Sequence, residues 1–275
     1  MIILDWIIVA LNLLVVLALG AAIGSFLNVV IYRVPAGRSI LFPASHCPIC
    51  NHSLSKADNI PILGWIFLKG KCRYCQTSIS PRYPLVEAFT AIVFLITFWQ
   101  FDWSLQTVGY WIFLSWLIAL ALIDFDTMTL PNILTSWGLL AGFSFQLASL
   151  VFSDQPTNLF LGIFSAIFSA ILGLWLFDLI AISGTLALGK PAMGGGDAKL
   201  AAMIGAWLGW KLLLVTSFVA SALGAFLGGG AIALKIIDRN NPMPFGPFLA
   251  LGAGLALLWG DAIVGIYLKL FFPGL

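Results

Sequence analysis

The sequence predicts an all-α polytopic membrane protein of about eight transmembrane helices, with a cytoplasmic zinc-binding loop between helices 1 and 2. Three observations carry that prediction. Of the 275 residues, 61% are hydrophobic and only 9% charged, at a mean hydropathy of +1.06. That leaves too few polar side chains to cover a soluble globule of this size. The apolar residues fall in runs of the length a bilayer demands, about twenty residues each. The one extended polar stretch, residues 33–83, holds all four cysteines and seven of the thirteen Lys and Arg. The net charge of +2 gives no reason to expect a nucleic-acid partner.

The candidate spans, in order, are 5–31, 84–101, 107–124, 132–152, 158–188, 198–210, 212–234 and 248–271. The first could be mistaken for a secretion signal, because its apolar run ends near the small residues Gly20, Ala21 and Ala22. The residues before it, however, include no Lys or Arg and carry Asp5, so it reads as a retained helix. The sixth and seventh spans are divided at Gly209, Trp210 and Lys211, where Lys211 interrupts the apolar pattern.

Positive charge follows the first helix, which places the N-terminus outside and the 33–83 loop in the cytoplasm. Threading the spans from there puts the loops 125–131, 189–197 and 235–247 on the cytoplasmic side as well. These loops and their borders then hold eleven of the thirteen Lys and Arg, including Lys190, Lys199 and Arg239. Lys211 and Lys269 are left on the other side. The same threading brings Asp124, Asp126 and Asp197 to one membrane face. No internal repeat and no low-complexity linker is evident.

The cysteines are spaced as Cys47-Pro-Ile-Cys50 and Cys72-Arg-Tyr-Cys75, with twenty-one residues between the pairs. Two C-x2-C knuckles at this separation suit a tetrahedral four-thiolate zinc site, structural because no coordination position is left open. Two disulfides are the alternative in an oxidising compartment; a cytoplasmic loop keeps its thiols reduced and favours metal. His46 and His52 flank the first pair and read as solvated loop residues, since four cysteines already complete the site.

The acids are the remaining chemistry. A carboxylate at membrane depth costs about 2.5 kcal/mol or more at the bilayer centre, which makes an unpaired structural acid a poor explanation for Asp197 beside Gly194-Gly195-Gly196. Two neighbouring carboxyls cannot both ionise, so one holds a proton and acts as acid while the other activates water, which is what aspartyl proteolysis requires. Glycines beside such an acid would let a substrate backbone approach closely and would tolerate unusual backbone conformations. Pro131 is expected at the first position of the fourth span.

Met193-Gly-Gly-Gly-Asp197-Ala-Lys-Leu200 resembles the GxGD signature of type IV prepilin peptidases. The likeness extends to Gly24-Ser25-Phe26-Leu27-Asn28 through Pro35, to Asp58-Asn59-Ile60-Pro61, to Ile79 through Glu87, and to Pro244-Phe245-Gly246-Pro247, in the family's order. Ala192 departs from the family's usual glycine but keeps a small residue. The resemblance implies that Asp124, seven residues before Pro131, and Asp197 are the catalytic pair, with Asp126 a non-catalytic neighbour. It implies a division into a first transmembrane helix (1–32), a tetracysteine zinc loop (33–83) and a membrane-embedded aspartyl peptidase domain (84–275). The substrates implied are prepilins and pseudopilins, cut at the cytoplasmic face of the bacterial inner membrane and surrounded by its lipid. The tetracysteine loop implies a second activity, N-methylation of the new N-terminus from S-adenosylmethionine, although no Rossmann-type glycine fingerprint is visible.

Gly194, Gly196, Lys199 and Glu87 are the candidate substrate- or cofactor-binding residues. Glu87 opens the second span, where it either orients the new amine or the methyl donor or caps its own helix. Lys199 either tunes a neighbouring acid or reaches to lipid phosphates. Asp178 and Asp261 fall inside spans five and eight, where each would be neutral or paired with a polar group such as Asn28. Two other readings fit the same residues less well: a membrane methyltransferase without protease activity, and a transporter with a zinc-stapled loop.

Overall fold

A computed structural model describes residues 2–152, 159–189, 193–235 and 243–272. Lys190, Ala192 and Arg239 lie outside them. The described chain is helical, and seven helices are long and apolar enough to cross a membrane. They are α1 (Ile2–Arg33), α3 (Arg82–Phe101), α4 (Leu105–Thr127), α5 (Asn132–Val151), α6 (Leu159–Leu188), α7 (Gly195–Ala233) and α8 (Gly246–Phe271), with the five-residue α2 (Leu63–Phe67) inside the polar loop. The chain divides into two compact units, Met1–Ala119 and Leu120–Leu275, with the boundary inside α4.

In the first unit α1 and α3 pack antiparallel, and small residues set how closely. A Cβ on Gly20 would stand 2.6 Å from Ala91 Cα, and one on Gly24 would stand 2.7 Å from Glu87 Cα. Gly20 and Gly24 thus form a G-x-x-x-G face that lets two backbones meet, the usual device where lipid tails are as apolar as any side chain. Farther along, Phe94 stacks on Trp111 with ring centroids 5.0 Å apart, and Trp111 Nε1 donates to Phe94 O at 3.0 Å. Val16 completes that cluster.

In the second unit, Gly173 lies against Ala201, where a Cβ would stand 2.5 Å from the carbonyl oxygen, and Gly205 lies against Ser169. These two contacts fix an antiparallel register in which Phe177 is level with Asp197. Farther along α7, Gly252 of α8 meets Thr216 O and Gly260 meets Leu212, again antiparallel. Phe245, just before α8, reaches both Phe177, with ring centroids 6.1 Å apart, and the Gly224 position. Both ends of α7 therefore lie on the Phe245 side, and the chain reverses between them. The reversal is at Gly209, whose φ of 77° and ψ of 170° are non-helical. That left-handed φ is one glycine adopts without a Cβ penalty. The predicted division between spans six and seven falls at this residue, so the continuous helix consists of two arms that meet at Gly209.

Two boundaries differ from expectation by a residue or two. Pro131 is the N-cap of α5, not its first helical residue, with φ −60° and ψ 123°. Its carbonyl accepts from Leu134 N and Thr135 N. Asp197 lies in the first turn of α7 and not ahead of it. An acid there faces the positive end of the helix dipole, a placement the apolar run beginning at Ala198 could not reveal.

Candidate active site and candidate metal centre

Asp124 sits in the last turn of α4, 5% exposed, and Asp197 in the first turn of α7, 8% exposed. Asp124 is at the unfavourable end of its own helix, and a second helix compensates: Gly246 N at the start of α8 donates to Asp124 Oδ2 at 3.0 Å. Each carboxyl is thus held at a helix N-terminus, where free backbone N–H groups and the dipole favour negative charge. The Gly194 backbone hydrogen-bonds the Asp197 carboxylate, and Asp124 is close enough for its charge to act on Asp197. Leu130, in the connection after α4, sits 3.0 Å from where a Gly196 Cβ would be, so this connection lies against the glycine run. Lys199 Nζ donates to Asn132 Oδ1 at 2.6 Å and ties the starts of α5 and α7 together.

The structure separates the three acids that the threading grouped. Asp124 and Asp197 are both buried, with the charge of the first acting on the second, whereas Asp126 is exposed. Asp178 and Asp261 are also exposed, and Asp178 follows Phe177, which is level with Asp197. Asn28 gives its amide to Tyr83 O at 3.1 Å.

Of the two uses expected of the glycine run, room for a substrate backbone and unusual backbone conformations, the second is not seen. None of Gly194, Gly195 or Gly196 has a positive φ, so conformational freedom is not what the run supplies. It supplies space: a Cβ on Gly195 would meet nothing within 4 Å, and one on Gly194 only the Gly196 nitrogen at 4.0 Å. Lys199 has a partner the sequence did not suggest: Asn132 takes its ammonium.

Glu87 does not cap its own helix. It is the sixth residue of α3, buried, and accepts from Ile62 N at 2.6 Å and from the Ser25 hydroxyl. Ile62 carries a φ of 62°, unusual for a β-branched residue, and leads directly into α2. Glu87 therefore fastens the polar loop to the α1–α3 pair, a role that two sequence-distant partners hid.

The four cysteine sulfurs all lie within 4.8 Å of one another. Cys47 Sγ is 3.7 Å from Cys75 Sγ, and Cys50 Sγ is 4.0 Å from Cys72 Sγ. Both separations are about twice a disulfide bond of about 2.05 Å. A tetrahedral ion with metal–sulfur bonds of about 2.3 Å requires sulfur–sulfur edges of about 3.8 Å, which these match. The group could therefore hold a metal ion.

The two knuckles are built alike. Cys47 N donates to His52 O and Asn51 N to Cys47 O; Cys72 N donates to Thr77 O and Gln76 N to Cys72 O. Asn51 and Gln76 share a left-handed φ of 56° and 57°, and the bridges His46–Ser53 and Lys71–Ser78 close the two turns. This short repeat was too brief to register as one in the sequence. His46 and His52 stand aside, His46 Nδ1 bonded to Ala44 O and His52 packed on Tyr74.

Backbone N–H groups of Cys50 and Ile49 lower the Cys47 thiol to about 6. At Cys75 the Thr77 backbone favours the thiolate, yet burial and the other three sulfurs push the group up to about 11. Four thiols sharing one negative charge are the set that a central cation would let ionise together. Arg73 braces the module from outside, with Nε donating to Asp58 Oδ1 at 3.0 Å and Nη2 to the same oxygen. The Arg73 hydrogen bonds, with help from Ser55, hold the Asp58 carboxyl below the usual carboxylate range.

Two family descriptions match the chain: the bacterial peptidase A24 N-terminal domain over residues 18–101 and the type IV leader peptidase family over residues 111–229. Among similar curated proteins, the prepilin leader peptidase/N-methyltransferase of Stutzerimonas stutzeri is 36% identical, covering 92% of this chain and 92% of its own length. The protein so named in Aeromonas hydrophila is 38% identical over 90% of this chain and 91% of its own. That of Pseudomonas aeruginosa is 36% identical over 91% of each. No solved structure matches the chain. Sequence, helical architecture and these likenesses agree that the chain belongs to the type IV leader peptidase family.

Proposed function

We propose that this multi-pass protein of the bacterial inner membrane removes the leader from prepilins and pseudopilins, with Asp124 and Asp197 as the catalytic pair. The observation that supports it best is that these two carboxyls are buried, each at a helix N-terminus, near enough for the charge of one to act on the other, beside the open space left by Gly194 and Gly195. One carboxylate takes a proton from water as the oxygen attacks the scissile carbonyl, and the other carboxylic acid delivers a proton to the departing amine. Water is divided between the two new ends, and the protein's carboxyls return to their starting state with their roles exchanged. The substrate's basic leader lies in the cytoplasm and its apolar helix in the bilayer lipid. This matches a topology with the N-terminus outside and the cysteine loop inside.

The cysteine module holds zinc through Cys47, Cys50, Cys72 and Cys75, a choice favoured by thiolate ligands and tetrahedral spacing. The ion is structural and takes no part in the cut. The second activity transfers a methyl group from S-adenosylmethionine to the new N-terminal amine, as the names of the relatives indicate.

The test is incubation of the purified protein in proteoliposomes with a prepilin and S-adenosylmethionine, with leader loss and methyl gain read separately by mass. Cleavage by the native chain, abolished in Asp124→Asn and in Asp197→Asn, is expected. Unimpaired cleavage by either variant would refute the dyad.

A further inference from the structure

The polar loop of the first unit carries apolar side chains that the described residues leave uncovered. On the five-residue α2, Leu63, Ile66 and Phe67 are 49%, 53% and 74% exposed. Their spacing of three and four residues puts them on one side of the helix. The other side is turned inward: Gly64 lies against the Asp58 carbonyl, while Trp65 packs on Gly70 and donates from Nε1 to Ile79 O at 3.0 Å. A second uncovered pair, Leu41 and Phe42, is 73% and 77% exposed in the chain that leaves α1.

Hydrogen bonds hold both stretches at the ends of the crossing helices. Glu87 lies about 6 Å along α3 from Tyr83, at 1.5 Å per residue, and its side chain leans back toward the helix start. There it accepts from the N–H of Ile62, the residue just before α2. Asn28 of α1 donates to Tyr83 O, and Arg33, the last residue of α1, donates from Nη1 to Ser39 O at 3.0 Å. Tyr32 and Tyr83, exposed at these two helix ends, are of the residue type that marks a membrane–water boundary. The apolar stretches therefore start from the level of the lipid headgroups and not from the far end of the loop.

The charge of the loop complements such a surface. Residues 33–83 contain seven Lys and Arg and a single acid, Asp58, which Arg73 already pairs. Lys69 and Lys71 follow α2 directly and are exposed. A helix with one apolar side and cations at its edge lies in the interface, its apolar side among the acyl chains and its cations against phosphates. We propose that α2, together with Leu41 and Phe42, seats the cysteine module on the anionic lipid surface around α1 and α3. This holds whichever reaction the acids of the second unit perform.

The test is photocrosslinking of the full chain in nanodiscs made from phosphatidylethanolamine and phosphatidylglycerol in equal parts. The photoreactive p-benzoylphenylalanine replaces Phe67 or Phe42, both exposed, so neither replacement disturbs packing. The mass of each crosslinked peptide identifies its neighbour. Phospholipid adducts are expected at both positions. At position 67 phosphatidylglycerol should exceed phosphatidylethanolamine by about fivefold or more, the attraction that each cation near an anionic surface supplies.

Lys69→Gln combined with Lys71→Gln is expected to bring that ratio close to one while lipid adducts still form through the apolar side chains. A phosphatidylglycerol excess that survives the double substitution overturns the assignment of the headgroup contact to these two lysines. Adducts that join position 67 only to protein, whether this chain or a second copy, or the absence of any lipid adduct there, overturn the seating of α2 on the membrane. The same result at position 42 removes Leu41 and Phe42 from the lipid surface.

Discussion

Gly246 is the residue whose replacement best tests how Asp124 is held. In Gly246→Ala the new Cβ would stand 2.6 Å from Asp124 Oδ2, 3.1 Å from its Cγ and 3.2 Å from its Cβ. Ordinary contact begins near 3.4 Å, so the carboxyl must retreat by about 0.8 Å, and the 3.0 Å bond from Gly246 N lengthens toward 3.8 Å, beyond hydrogen-bond range. A hydrogen bond to a charged group contributes about 1.5–3 kcal/mol, and about 1.4 kcal/mol is a factor of ten. Moving a reacting group by nearly 1 Å has a comparable effect. The expected loss is therefore about 10- to 100-fold in kcat with KM little changed, measured by single-turnover cleavage of a prepilin in proteoliposomes. Helix propensity at this position favours alanine, so the variant should fold, and its thermal unfolding is the control. Native kcat in a folded Gly246→Ala protein would refute the claim that this contact positions Asp124.

The other perturbations are more direct. Asp124→Asn should lower cleavage by about 10²- to 10⁴-fold, the usual contribution of a general acid or base, while Asp126→Asn, altering an exposed residue, should stay near the native rate. Cys47→Ser removes one of four converging sulfurs, and bound zinc should fall from one per chain to near none by elemental analysis, with hydrogen exchange in residues 45–80 rising. Asp58 has a folded pKa below its unfolded value of about 3.9, so its pairing with Arg73 stabilises above that pH and fades as pH falls through the folded value. The gap in thermal stability between the native chain and Asp58→Asn should accordingly be full at pH 6–7 and close below about pH 4. A gap that does not vary with pH would contradict this. Gly20→Val forces a side chain against the α3 backbone and should destabilise the first unit by about 1–3 kcal/mol in chemical denaturation.

Much of this was legible in the sequence because membrane depth makes errors expensive. Apolar runs located the seven membrane-length helices among the described residues, and Lys211 after Gly209 marked a reversal that survives inside a nominally continuous helix. The cysteine pairs announced their geometry through spacing alone. Asp197 was conspicuous by cost, but its partner could not be chosen between Asp124 and Asp126 from position, since which of two acids turns inward depends on helix rotation against neighbours. The N–H of Gly246 was invisible as a carboxylate donor, because every residue but proline offers the same group. The hydrogen-bond partners of Glu87 and Lys199 were equally hidden. Ile62 and Asn132 lie 25 and 67 positions away, distances at which hydrogen bonds leave no local pattern.

The first arm of α7, from Gly195 to the break at Gly209, is about 21 Å long at 1.5 Å per residue. A bilayer core is about 30 Å thick, so this arm stops roughly 9 Å short of crossing it. Meanwhile α6 continues from the level of Asp197 to Leu188, about 16 Å farther on. A short arm beside a longer neighbour leaves no helix of its own at one edge of the hydrocarbon layer. Peptide hydrolysis consumes one water for every bond broken, and hydrocarbon holds none to give. On the proteolytic reading proposed above, an arm this short would let water reach acids that a full-length crossing would bury in hydrocarbon.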